Sequence, residues 1–198
     1  MDKLSLREQE IFSALKALHG LECTVIGGYA VNAYALPRFS VDCDLVVKNR
    51  DSAASVAGRL VLAGYSLKEA GVADEAYGVS FQRFEKALES GFRASFDVLA
   101  GGVLDRRTHA VFSADWIFSH AKERSLRGRT FAQEIGARVV DVDASVAMKL
   151  TASRTTDLRD VFMLLPQVQD PGFVKKEVGE RTRLRPALER LNAFVHSK

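Results

Sequence analysis

The sequence predicts an α/β chain whose C-terminal part is helical. Three observations carry this. Segments that alternate apolar and polar residues with period 2 recur between segments with apolar residues at helical spacing. Of the 198 residues, 47% are hydrophobic and 27% charged, the composition of a chain with a sizeable buried core. No internal repeat or low-complexity stretch interrupts the alternation. On this reading residues 1–140 form the strand-bearing core and residues 141–198 a helical part packed on it.

Leu4 to His19 reads as an amphipathic helix, with Leu4, Ile11, Phe12, Leu15 and Leu18 on one face and Gly20 as the stop. Leu21 to Ile26 is the first expected strand. It meets the pair Gly27-Gly28, and Tyr29 to Leu36 reads as a short helix broken by Pro37. The next strand carries Val41, Cys43, Leu45 and Val47 in alternation with Ser40, Asp42 and Asp44. Asp51 or Ser52 is the expected cap of a helix reaching about Ala63, with Ala53, Val56, Ala57 and Leu60 on one face and Gly64 at its end. Tyr65 to Leu67 reads as a strand, and Gly71 to Tyr77 as a small polar loop. Val79 to Phe84 and Phe92 to Leu99 alternate as strands, joined by a turn over Lys86 to Gly91.

The pattern from Thr108 to Arg138 is mixed. Ser113 to Phe118 suggests a turn or short helix, and Arg124, Arg127 and Arg129 sit in what reads as a basic hairpin, facing either substrate or solvent. Val139 and Val140 close a strand. Asp143 is the expected cap of a helix containing Val146 to Ala152; if that helix continues, Lys149, Ser153 and Asp160 fall at i, i+4 and i+11, with Asp157 beside them. Gln167 onward reads as two further helices. From Pro171 on, seven basic residues (Lys175, Lys176, Arg181, Arg183, Arg185, Arg190 and Lys198) stand against three glutamates, suiting a phosphate backbone or a solvated surface equally.

The chemistry concentrates in VIGGYAVNAYALPRFSVDCDLVV, Val25 to Val47. Asp42 and Asp44 are two residues apart on a strand and therefore share a face. Adjacent carboxylates disfavour each other's charge unless a cation lies between them, so the pair has the form of a Mg²⁺ site as well as of a solvated strand face. The glycines lack side chains that would keep a phosphate from their backbone N–H groups. Asp97 lies near the end of another apolar strand, a position that a chance edge residue also takes; Asp74 and Asp105 fall in loops. Lys149 interrupts an apolar helix, where a lysine ordinarily snorkels to solvent. His109 and His120 have no ligand-like spacing, and Cys23 and Cys43 read as buried thiols rather than as a disulfide or zinc pair.

The stretch resembles the polymerase-β-like nucleotidyltransferase superfamily, in which a glycine pair or Gly-Ser precedes DxD. It is most similar to the AbiEii/AbiGii-type toxin nucleotidyltransferases. Lys149-Leu-Thr-Ala152 followed by Arg154-Thr-Thr-Asp157-Leu-Arg-Asp160 is similar to that group's Lys-x-x-Ala…Lys-Asp-x-x-Asp. Thr156, where the group has Lys or Arg, and Gly28, where it commonly has Ser, depart from the pattern. The resemblance spans about Val25 to Leu165. It implies a mixed sheet with packed helices and transfer of a nucleoside monophosphate from an NTP to an acceptor hydroxyl. Asp42, Asp44 and Asp97 would hold two Mg²⁺ ions. Gly27, Gly28, Arg38 and Ser40 would bind the triphosphate, Lys149 would neutralise the pyrophosphate, and Asp157 and Asp160 would orient Lys149 or act late in the transfer. The acceptor would be a tRNA or a protein, and the partner a cognate antitoxin. A small-molecule transferase of the aminoglycoside or lincosamide kind and a non-catalytic binding module of the same fold are the rival readings. The formal charge of +3 is too small to demand a nucleic-acid partner. With no long apolar run and no signal peptide, no membrane partner is expected and the location is expected to be cytoplasmic.

Overall fold

A computed structural model describes residues 2–74 and 78–182. Arg183, Arg185, Arg190 and Lys198, with the second expected C-terminal helix, lie outside the described residues.

Helix α1 (Lys3–Ala17) is capped by Asp2, whose carboxylate accepts from the N–H groups of Leu4 and Ser5. Its buried face carries Ile11, Phe12 and Leu15, and also Glu8, which is 1% exposed. That carboxylate accepts from the backbone N–H groups of Arg129, Thr130 and Phe131 and from the Thr130 hydroxyl, at 2.7–3.0 Å. Buried charge is tolerated here because charge-assisted hydrogen bonds replace its water. The loop that joins the paired strands Ala121–Leu126 and Ile135–Val140 is thereby fastened to α1.

Among the described residues, seven strands form one mixed sheet: β1 (Thr24–Ile26), β2 (Asp42–Val47), β3 (Ser66–Asp74), β4 (Val79–Ala87), β5 (Arg93–Ala100), β8 (Ala121–Leu126) and β9 (Ile135–Val140). Their spatial order is β3-β4-β5-β2-β1-β9-β8. The β2/β5 and β1/β9 pairs are parallel, the others antiparallel. The two remaining strands, β6 (Gly102–Leu104) and β7 (Val111–Ser113), form a separate hairpin. The alternation expected of β2 and β5 buries Cys43, Leu45 and Val47, and Ala94, Phe96 and Val98, on one face. Helices α1 and α3 (Arg50–Leu62) pack against β5. The opposite face carries Asp42, Asp44 and Asp97.

Helices α5 (Val142–Ala152), α6 (Thr155–Leu164) and α7 (171–182) meet α2 (Gly27–Val31) in a second apolar cluster of Val31, Val142, Val146, Val161, Leu164 and Val174. The guanidinium of Arg181 on α7 lies 4.1 Å from the Phe112 ring centre and 4.9 Å from that of Trp116, in α4 (Ala114–Ser119). Among the described residues, no helix is long and apolar enough to cross a membrane.

Several boundaries differ from the sequence reading. The first strand is Thr24–Ile26, shorter than expected, and α2 begins at the glycines themselves and ends at Val31, well before Pro37. Asn49, not Asp51 or Ser52, caps α3 by accepting from the Ser52 N–H. Residues 71–74 continue β3 instead of forming a loop, because β4 supplies the pairing that their small side chains do not advertise. Asp141 caps α5, while Asp143 accepts from the N–H groups of Gln169 and Asp170 and so ties α5 to the start of α7. The α5 helix stops at Ser153, whose φ of 50° is left-handed, and the chain restarts as α6. The i, i+11 stripe therefore does not exist; a bend brings Lys149 and Asp160 together instead.

Candidate active site

The site is a cross-strand row. Ile26 of β1 sits opposite Asp44 of β2, Asp44 opposite Asp97 of β5, and Asp97 opposite Arg83 of β4. Strand periodicity places Asp42 on the same face as Asp44. The result is three half-buried carboxylates, each offering an oxygen within 4.8 Å of the others. An all-carboxylate donor set of this spread suits hard divalent ions such as Mg²⁺, which take oxygen ligands.

The backbone makes room for the second acid. Gly27 has φ +66°, and a Cβ there would stand 2.0 Å from Asp44 Oδ2. Gly28 is equally constrained by a different neighbour: its Cβ would stand 2.3 Å from the Ser40 hydroxyl oxygen. A serine side chain from the segment before β2 thus occupies the space over the glycine that departs from the AbiEii-type pattern. Asn32 fixes that segment. It is 1% exposed, and its side-chain amide accepts from the Arg38 N–H at 3.0 Å and donates to the Arg38 carbonyl at 2.9 Å.

Burial, then the neighbouring charges of Asp42 and Asp97, push the Asp44 carboxyl up to about 7, against weaker opposition from Lys149 and Arg83. Among the described residues, Asp44 accepts no hydrogen bond and makes no ion pair. Asp97 is the opposite case: the Arg83 guanidinium donates from Nε to Oδ1 at 2.7 Å and from Nη2 to Oδ2 at 2.6 Å, and lies 3.8 Å from Asp42 Oδ2. The hydrogen bonds to Asp97 hold the Arg83 guanidinium above its ordinary value.

A second charged group flanks the row. Asp160, 1% exposed, accepts from Arg38 Nε at 2.7 Å and Nη2 at 2.5 Å, and from Lys149 Nζ at 2.8 Å. Lys149 Nζ is also 3.7 Å from Asp157 Oδ1. Burial works to raise the Asp160 carboxyl, but the donated hydrogen bonds from Arg38 and Lys149 outweigh it and hold the group below its ordinary value. Lys149 is buried in this cluster and does not snorkel to solvent.

Two cavities adjoin the acids. One, of about 240 Å³, is lined by Gly27, Asp44, Lys149 and Asp157, with apolar walls from Leu99, Val103 and Met148. The other, of about 350 Å³, is lined by Asp42, Arg83, Arg7, Phe92 and Arg93. Over its Phe92 ring lie the Arg7 guanidinium, 4.4 Å from the centre, and the Lys3 ammonium at 5.5 Å.

All ten residues singled out from the sequence fall in this region: Asp42, Asp44 and Asp97 converge, Gly27, Gly28, Arg38 and Ser40 line one flank, and Lys149, Asp157 and Asp160 form the charged cluster behind. Arg83 and Asn32 escaped sequence reasoning. Arg83 left one signal, its position on the polar side of an alternating strand; a solitary buried asparagine leaves none.

No protein-family model and no curated protein sequence matches the chain. Solved structures do. JHP933 from Helicobacter pylori aligns with a TM-score of 0.54 at 16% identity, over 100% of this chain and 98% of that one. An antigenic nucleotidyltransferase-like protein from Paracoccidioides brasiliensis aligns with a TM-score of 0.51 at 13% identity, over 94% of this chain and 93% of that one. At such identities the likeness is one of fold, and the chain has a nucleotidyltransferase-like fold.

Proposed function

We propose that the protein is a Mg²⁺-dependent nucleotidyltransferase that moves a nucleoside monophosphate from an NTP to a hydroxyl of an RNA acceptor. The observation that carries this reading is the convergence of Asp42, Asp44 and Asp97, with oxygens within 4.8 Å of one another, beside a glycine whose Cβ would collide with Asp44. These three carboxylates would hold the ions. Bound Mg²⁺ supplies charge stabilisation of the attacking and leaving oxygens at the α-phosphorus.

The chain's own groups divide the remaining work. Backbone N–H groups at Gly27 and Gly28 and the Ser40 hydroxyl face the donor's phosphates. Lys149, anchored by Asp160, presents its charge toward the cavity that Asp44 also lines. Such a cation, preorganised against the departing pyrophosphate, is worth about 3 kcal/mol of barrier. Asp97 lies nearest Arg83, on the side of the acids away from Gly27, where an acceptor hydroxyl could be oriented for in-line attack.

The lining of that second cavity supports an anionic acceptor. Arg7, Arg83 and Arg93 line it against the acids Asp42 and Glu85, and this excess of basic groups suits phosphates. A polycationic acceptor of the aminoglycoside kind would meet like charge there. The residues from Lys149 to Asp160 that resemble the AbiEii-type motif support the finer reading, a toxin that acts on tRNA and is held in check by a cognate antitoxin.

Incubation of the full chain with each radiolabelled NTP, Mg²⁺ and total RNA should label an RNA band, and Asp44→Asn should abolish the label while preserving the fold. Label on protein instead of RNA overturns the acceptor assignment. No incorporation with any NTP into RNA, protein or small-molecule pools overturns the enzymatic reading.

A further inference from the structure

Among the described residues, the only ion pairs made by the three acids are with Arg83. The contrast within the trio is sharp. Each oxygen of Asp97 accepts a charge-assisted hydrogen bond from the guanidinium, at 2.7 and 2.6 Å, whereas Asp44, among the described residues, accepts no hydrogen bond and makes no ion pair. A divalent ion arriving between Asp42 and Asp44 meets the Asp44 carboxylate and an Asp42 to which the guanidinium donates no hydrogen bond, at 3.8 Å. One arriving between Asp42 and Asp97 meets a fixed positive charge 3.8 Å from Asp42 and already seated on Asp97. Like charges at this separation repel strongly even in a well-screened, half-exposed site. The guanidinium can also leave: the Arg83 side chain is 39% exposed, so its release into water costs little solvation.

We propose that Arg83 is a resident counter-cation that holds Asp97 and must release it before a second divalent ion can load, so that the ions bind in sequence, first at Asp42 and Asp44, then at Asp97. This rests on the metal-dependent reading above and adds an order of events to it. Arg83 is a positioning residue here: by neutralising Asp97 it keeps the trio assembled when ions are scarce. The third acid is thereby guarded until an ion competes successfully for it.

The test uses Mn²⁺ as the probe, titrated into the full chain and followed by electron paramagnetic resonance and calorimetry. Wild type should bind one ion tightly and a second at least about tenfold more weakly, the penalty expected from a neighbouring unit charge. Arg83→Met should bring the second affinity to within about threefold of the first. It should also lower the melting temperature in EDTA, and Mn²⁺ should restore more of that loss than it adds to wild type. Arg83→Gln, which keeps a hydrogen-bond donor to Asp97 without the charge, should tighten the second ion likewise and guards against a variant that fails to fold. A second affinity unchanged or weakened in folded variants that retain the first ion overturns this inference alone. Absence of Asp44-dependent Mn²⁺ binding in wild type overturns the metal-dependent reading and this inference with it.

Discussion

Gly27→Ala separates the fold from the site more cleanly than removal of an acid. Two costs follow from the structure. The φ of +66° is left-handed, and a residue with a Cβ pays about 1–2 kcal/mol there. For a chain of this size that corresponds to a fall in melting temperature of about 2–8 °C. The second cost is geometric. The new Cβ would stand 2.0 Å from Asp44 Oδ2, and real contacts rarely fall below 3.0 Å, so the carboxylate must retreat by about 1 Å. A side-chain oxygen can retreat cheaply, which is why the stability loss stays small. Chemistry tolerates the same displacement badly, since about 1 Å of misplacement costs on the order of a hundredfold in rate. Thermal melting, Mn²⁺ titration and NTP incorporation measured on the same preparation should therefore diverge: modest destabilisation, weakened first-ion binding, and turnover reduced about a hundredfold or more. Full incorporation by a folded Gly27→Ala protein would refute the argument that Asp44 must sit against this glycine.

Three further outcomes follow. Asp160→Asn takes the ion-pair partner from Arg38 and leaves Lys149 facing Asp157 at 3.7 Å, and should cost about 3 kcal/mol in urea unfolding; the double replacement with Lys149→Met should cost less than the sum of the single ones, and strict additivity would count against the cluster. Glu8→Ala removes the acceptor for three backbone N–H groups and a hydroxyl, and should cost about 3 kcal/mol with faster amide exchange at Arg129, Thr130 and Phe131; a loss under about 1 kcal/mol would contradict the anchoring role. The Asp44 carboxyl is raised from 3.8 to about 7 by burial and its acidic neighbours, so the folded state holds its proton more tightly than the unfolded chain. Its contribution to stability is fully present below the ordinary value and is lost as pH rises through about 7. In EDTA the Asp44→Asn protein should lack this decline, a difference that melting curves across pH 5–8 would reveal or exclude.

Local periodicity made the centre of the site legible. Alternation around Asp42 and Asp44, and again around Asp97, fixed which face each acid takes, and a face is all that convergence across neighbouring strands requires. The glycine pair was legible as a place of close approach, which the sequence reading gives to a phosphate and the structure gives to the Asp44 carboxylate and the Ser40 hydroxyl. What stayed hidden depended on partners far along the chain. Nothing near Arg83 states that β4 will pair with β5 in the register that puts it on Asp97. Lys149 and Asp160 were grouped correctly but by a continuous helix that does not exist, since Ser153 takes a left-handed turn without a glycine or proline to announce it. Caps failed where two polar residues competed: Asn49 and Asp141 won over Asp51 and Asp143, and the losing Asp143 was recruited to the start of α7. Glu8 carries no mark in the sequence because its three N–H donors lie more than 120 residues away.

The hydroxyl over Gly28 belongs to the same short run of chain as Asp42 and Asp44, not to the helix beneath it. On the proposed reading, grip on the donor's phosphates and grip on the ions are therefore mounted on one lever, whose fulcrum is the Asn32 amide. A disturbance of that buried asparagine would slacken both holds together.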